Sequence, residues 1–179
     1  MDVTIAMDPN SAHADQPRRF KLAGQGAPEQ ADDAVQPVTR LVGLGPMTNV
    51  KTAFGEYPAQ TLRENDRIMV REGGFRPIKS LKRMTFDEEY LRYHPGAQPI
   101  VIRANAFSPV CPNKDLILAP DQRVAANATN LPLRLERAID LITRPHVLRK
   151  PEQIITYTVI SLGRPAFIQC NGVWVELTS

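Results

Sequence analysis

A chain of 179 residues, 42% hydrophobic and 23% charged, has the composition of one ordinary globular domain with room for a tail. Its net charge of +3 is too mild to imply a polyanionic partner, and no apolar run approaches the roughly 18 residues of a membrane span. Sixteen prolines beside only 6% aromatics disfavour a bundle of long helices.

Residues 1–36 are rich in Ala, Asp, Gln, Gly and Pro, with Phe20, Leu22 and Val35 isolated. Such a segment buries too little to offset its ordering entropy and is expected to be a disordered tail. The domain is expected to span 37–179. Asn49 to Thr52 reads as a strand, followed by a turn containing Gly55. A second turn falls at Glu64-Asn65-Asp66, where Asn65 tolerates a left-handed backbone. Arg67 to Arg71 is a strand, Gly73-Gly74 turns it, and Arg76 to Lys79 begins the return. Phe86 to His94 reads as a loop or one helical turn, stopped by Pro95-Gly96. Pro99 to Ala104 is a strand, and Phe107 to Asn113, with two prolines and Cys111, is a loop. Leu116 to Ala126 reads as strand, Pro120-Asp121 corner, strand.

Leu135, Ala138, Ile139 and Ile142 make the one helical stripe, which Pro145 ends. Ile154 to Leu162 is a β-rich run turned by Gly163-Arg164-Pro165. Phe167 to Cys170, Asn171-Gly172, then Val173 to Leu177 is the strongest hairpin signal, because Asn-Gly supplies two positive-φ residues. The fold class expected is mainly β with one short helix.

From about residue 41 onward the order of these pieces resembles a bacterial Hint (Hedgehog/intein) domain of the short Hedgehog-type group. Four segments carry the likeness: 43–62, the hairpin 63–79, Asp115 to Val124, and 155–176. The resemblance implies a pseudo-two-fold, all-β horseshoe fold and self-cleavage chemistry. In that chemistry a Cys or Ser at the first position attacks the preceding carbonyl, and a His protonates the leaving amide nitrogen.

Carried over position by position, the resemblance places Gly43 at the nucleophile. Ala119 and Gln122 stand at the Ser/Thr and His of a Ser/Thr-x-x-His signature. Val159, Gly163 and Pro165 stand where the terminal block often has His and Asp. Glycine has no side chain, and glutamine exchanges no proton at neutral pH. The implied protein has kept the fold, lost self-cleavage and become a stand-alone structural or binding module, with a protein partner of unknown identity.

Two alternatives remain on the residues. An active self-processing domain would use a displaced nucleophile such as Cys111, with no adjacent cation before Lys114 to lower its pKa, or Ser or Thr groups at other positions. The clusters Lys79 to Arg83 and Arg144 to Lys150, near Phe75 and Tyr90, are the case for a basic β-domain that binds nucleic acid, against which stand the interleaved acids. His13, His94 and His146 have no nucleophile beside them in sequence, Asp87-Glu88-Glu89 reads as a solvated face, and Cys170 and Trp174 read as packing groups. No Cys-x-x-Cys exists, and neither metal nor cofactor is expected. Met1 to Arg19 lacks the layout of a secretory signal, so a cytoplasmic location is expected.

Overall fold

The computed structural model describes residues 40–127 and 133–178. The expected tail over 1–36 and the domain start at Pro37 lie outside the described residues. Among the described residues there are thirteen strands and one α-helix. They run β1 (Asn49–Thr52), β2 (Gly55–Pro58), β3 (Arg67–Met69), β4 (Phe75–Pro77), β5 (Ser80–Phe86), α1 (Glu88–Tyr93), β6 (Ile100–Ile102), β7 (Leu116–Leu118), β8 (Arg123–Ala125), β9 (Leu135–Arg137), β10 (Val147–Arg149), β11 (Ile155–Ser161), β12 (Ala166–Cys170) and β13 (Val173–Leu177).

Turn chemistry sets the hairpins. Asn171 at φ 47° and Gly172 at φ 84° join β12 to β13, which pair from Cys170↔Val173 to Ala166↔Leu177. Both turn residues sit in the left-handed region that a two-residue hairpin requires. Asn65 also adopts positive φ, as its residue type predicts. Burial alternates along both strands of the β12–β13 hairpin, so one face enters the core.

The largest sheet has the order β4-β3-β1-β12-β13-β8-β9, with β2 paired to β1. Two smaller sheets are β10-β6-β7 and β11-β5. Leu44 joins the smaller pair, bridging to Leu118 of β7 and to Thr158 of β11. The main core takes Val50, Ile68, Ile100, Ile102, Leu116 and Ile168, among others, from these sheets. A smaller cluster gathers Leu91, Ala97, Ala119, Ile155 and Tyr157, with Leu41, Met84 and Phe86 against it. The architecture is mainly β with one short α-helix, as the sequence leads one to expect.

Two local readings change. The stripe at 135–142 is not an α-helix: β9 occupies Leu135–Arg137, and a 3-10 helix runs Ala138–Thr143. In a three-residue turn the i, i+3 pair shares a face. Ala138 and Leu141 are accordingly buried while Ile142 is exposed. The basic run at 79–83 falls largely within β5, a full strand paired with β11 from Ser80↔Ser161 to Phe86↔Ile155. Its exposed Lys82 and Arg83 stand side by side and break the alternation that marks a strand.

Candidate functional site

The 119–122 corner and the incoming segment 41–45 are held together by their backbones. The Ala119 N–H donates to Gly43 O at 2.9 Å, and the Gly45 N–H donates to Ile117 O at 2.8 Å. The Asp121 N–H donates to Leu41 O at 3.0 Å, while the Leu41 N–H donates to Asp121 Oδ2 at 2.9 Å. On the other side Leu44 exchanges both backbone hydrogen bonds with Thr158, at 2.9 and 2.8 Å. Segment 41–45 is therefore an extended stretch locked between the corner and β11.

Gln122 is buried at the centre of this arrangement. Its Oε1 accepts the Gly43 N–H at 3.0 Å. Its Nε2 donates to Glu176 O at 2.6 Å and to Arg123 O at 3.3 Å. The orientation of the amide follows from its partners: swapping nitrogen and oxygen would set donor against donor at Gly43 and acceptor against acceptor at Glu176. One side chain thus clasps the incoming segment, the corner and β13.

Gly43 has φ +142°, a conformation that L side chains rarely adopt. A Cβ built there would stand 3.0 Å from Tyr157 Cβ and 3.3 Å from Thr158 O. Together with Val42, Gly43, Gln122, Thr158, Val159 and Glu176 line a cleft with about 10 Å³ of room for the centre of a water-sized sphere. That is the space of roughly one water molecule. Thr158 is buried there, and its Oγ1 has no hydrogen-bond partner among the described residues.

Most of the candidate positions converge. Gly43, Gln122 and Val159 line the cleft. Ala119 reaches Gly43 through its backbone, while its side chain packs with Leu91 and Tyr157. Pro165 does not line the cleft; it lies with Gly163 in the exposed turn between β11 and β12. Thr158 and Asp121 were not singled out from the sequence, although both sit beside residues that were.

Cys111 is elsewhere. Its Sγ lies 3.7 Å from Gly172 O, at the turn end of the β12–β13 hairpin. Gln122 meets Glu176 toward the other end, and four strand residues span about 13 Å. Burial raises the Cys111 thiol above its ordinary value, which opposes thiolate formation. Cys170 is fully buried and its thiol is raised strongly by the same cause. His94 packs its ring on Tyr90 at 4.4 Å, and His146 is an exposed turn residue at φ 65°. Trp174 is half-buried on β13, opposite Gln169. Asp87 caps α1 by accepting the Tyr90 N–H. Among the described residues, no group of three or more His, Cys, Asp or Glu could hold a metal ion. No helix among them is long and apolar enough to cross a membrane.

An all-β domain with its incoming segment clasped at a corner has the architecture of the Hint class. The sequence model of the Hint domain matches residues 42–178, and the chain belongs to that family. Similar solved structures include the gp41-1 intein, 8% identical with TM-score 0.46, covering 78% of this chain and 99% of that one. The MchDnaB-1 intein is 6% identical with TM-score 0.46, over 75% and 99%. The Msm DnaB1 intein splicing domain, solved bound with zinc, is 10% identical with TM-score 0.44, over 76% and 99%. A comparison with curated protein sequences returns no match.

Proposed function

We propose that this Hint domain has lost self-cleavage and serves as a stand-alone structural or binding module. The observation that carries the reading is the contact between Gln122 Oε1 and the Gly43 N–H. Acyl transfer at the 42/43 peptide needs a nucleophile on residue 43 and a proton delivered to its nitrogen. Gly43 offers no side chain. Gln122 turns an acceptor toward that nitrogen and spends its donors on Glu176 O and Arg123 O. The polarity is the reverse of a general acid.

Intact-mass measurement of the full chain, with and without added thiol, tests this. The mass is expected to stay that of the uncleaved chain. Gly43→Cys alone is expected to stay whole as well, because Gln122 keeps its carbonyl against the amide and the Cβ meets Tyr157. Thiol-dependent cleavage at 42/43 in the unaltered protein would overturn the reading.

A further inference from the structure

Two adjoining grooves lie away from the closed cleft. One, of about 360 Å³, is lined by Phe54, Tyr57, Arg63 and Arg67, among others. The next, of about 550 Å³, shares Thr61 and Arg63 with it and continues to Arg83. Phe54 stands at the tip of the β1–β2 hairpin and is 85% exposed; Tyr57 is 45% exposed. A phenylalanine so exposed contributes nothing to the core of this domain and offers an apolar anchor to something else.

Three guanidiniums in these grooves stand outside ion pairs. Arg67 donates to the carbonyl of Phe75, and Arg83 to those of Gln60 and Leu62. The guanidiniums of Arg63, Arg67 and Arg83 have no carboxylate partner among the described residues, and Asp66 instead accepts the Arg63 backbone N–H. The contrast is the groove lined by Arg40, Arg123, Arg134 and Arg137, where the last three guanidiniums are paired with Glu176, Glu136 and Asp121 and Asp140 respectively. Residues 51–86 hold eight Lys and Arg against four Asp and Glu, a local excess greater than the +3 of the whole chain.

We propose that the joined grooves beside the β1–β2 hairpin bind an extended acidic peptide of a partner protein, with an apolar side chain against Phe54 and Tyr57 and carboxylates on Arg63, Arg67 and Arg83. Charge complementarity selects carboxylates. A peptide is favoured over a nucleic-acid strand because Glu64 lines one groove and Asp66 the other, between the guanidiniums. A strand with a phosphate at every step meets these acids repeatedly, whereas a peptide can place neutral residues opposite them. The assignment rests on the binding-module reading given above and locates its surface.

The test is fluorescence anisotropy on the full chain at low salt. The probe is a short fluorescein-labelled peptide of glutamates around a central leucine, compared with its lysine counterpart and with labelled oligothymidylate. The glutamate peptide is expected to bind and the lysine peptide not. The double variant Arg63→Glu, Arg67→Glu is expected to weaken binding by about tenfold or more, and Phe54→Ala by a few-fold. Arg134→Glu, in the ion-paired groove, is expected to leave binding unchanged. These positions are on the surface, and circular dichroism of each variant checks that the fold is kept.

Equal binding of the glutamate and lysine peptides overturns the proposal, as does glutamate-peptide binding that survives the double variant. Oligothymidylate binding that is tighter than peptide binding and is lost in the same variant gives the surface to nucleic acid, and also overturns it. Intact mass of the same sample reads self-cleavage separately, so failure of that reading is distinguishable.

Discussion

Replacing Gln122 with leucine probes the clasp most directly. The substitution keeps nearly the same volume and removes the hydrogen bonds to Gly43, Glu176 and Arg123. The Gly43 N–H is the costly loss, because that bond is buried and the segment around it is held on both sides. An unsatisfied buried donor costs about 1–3 kcal/mol. The partly buried Glu176 carbonyl adds roughly 1 kcal/mol, and the long contact to Arg123 adds little. Leucine methyls buried in place of the amide return roughly 1 kcal/mol. The net expectation is a loss of about 1–3 kcal/mol, read as a lower urea midpoint with unchanged slope. Amide hydrogen exchange supplies the local readout: protection at Gly43 should fall more than protection at Ile168 in the main core. A stability change below about 0.5 kcal/mol, with Gly43 still protected, would refute the clasp.

Thr158→Val removes a buried hydroxyl that has no partner among the described residues and keeps the backbone pairing with Leu44. It is expected to raise the urea midpoint, by about 1 kcal/mol in stability; a loss of that size would show the hydroxyl to be satisfied. The domain should also weaken in alkali. Burial raises the Cys170 thiol above its ordinary 9.0 and the Tyr157 phenol above its ordinary 10.0. Above those values the unfolded chain releases protons that the folded chain retains, so stability is full below about pH 9 and falls as pH rises, by up to about 1.4 kcal/mol per unit per group. Urea melts at rising pH measure this, and because burial raises the Cys111 thiol too, the double variant Cys111→Ala, Cys170→Ala should delay the onset toward the tyrosine range; an unchanged onset removes the thiols from the explanation.

What could be read from the residues depended on how local the cause was. The Asn171-Gly172 hairpin and the left-handed Asn65 follow from single residue types, and both stand where expected. The strand β5 escaped because its partner β11 is about seventy residues away and supplies the pairing that its charged sequence does not advertise. The stripe at 135–142 misled because i, i+3 spacing fits a 3-10 turn as well as an α-helix. At the site, Gln122 was legible as a missing proton donor, since that follows from its side chain alone. Its role as a three-way clasp was not legible, because Gly43 and Glu176 come to it from 79 residues before and 54 residues after in the chain.

On the proposed loss of self-cleavage, that division explains how a Hint fold persists without its chemistry. The bonds that place residue 43 and its neighbours come from the backbones of Ala119, Ile117 and Thr158 and from the side chains of Gln122 and Asp121. None of them needs a cysteine, a serine or a histidine. At the positions that the resemblance gives to the nucleophile and the histidine, this chain has a glycine in a backbone conformation that side chains disfavour, and an amide satisfied at both ends. On the proposed reading, restoring one group is not expected to restore the reaction. A nucleophile at 43 would require the backbone to leave φ +142° and Tyr157 to yield, and a neutral histidine at 122 that turned its one donor to the Gly43 nitrogen would give up the bond to Glu176. On that reading the site is closed by stabilising contacts in addition to its missing groups, and a return to activity would have to cross a less stable intermediate.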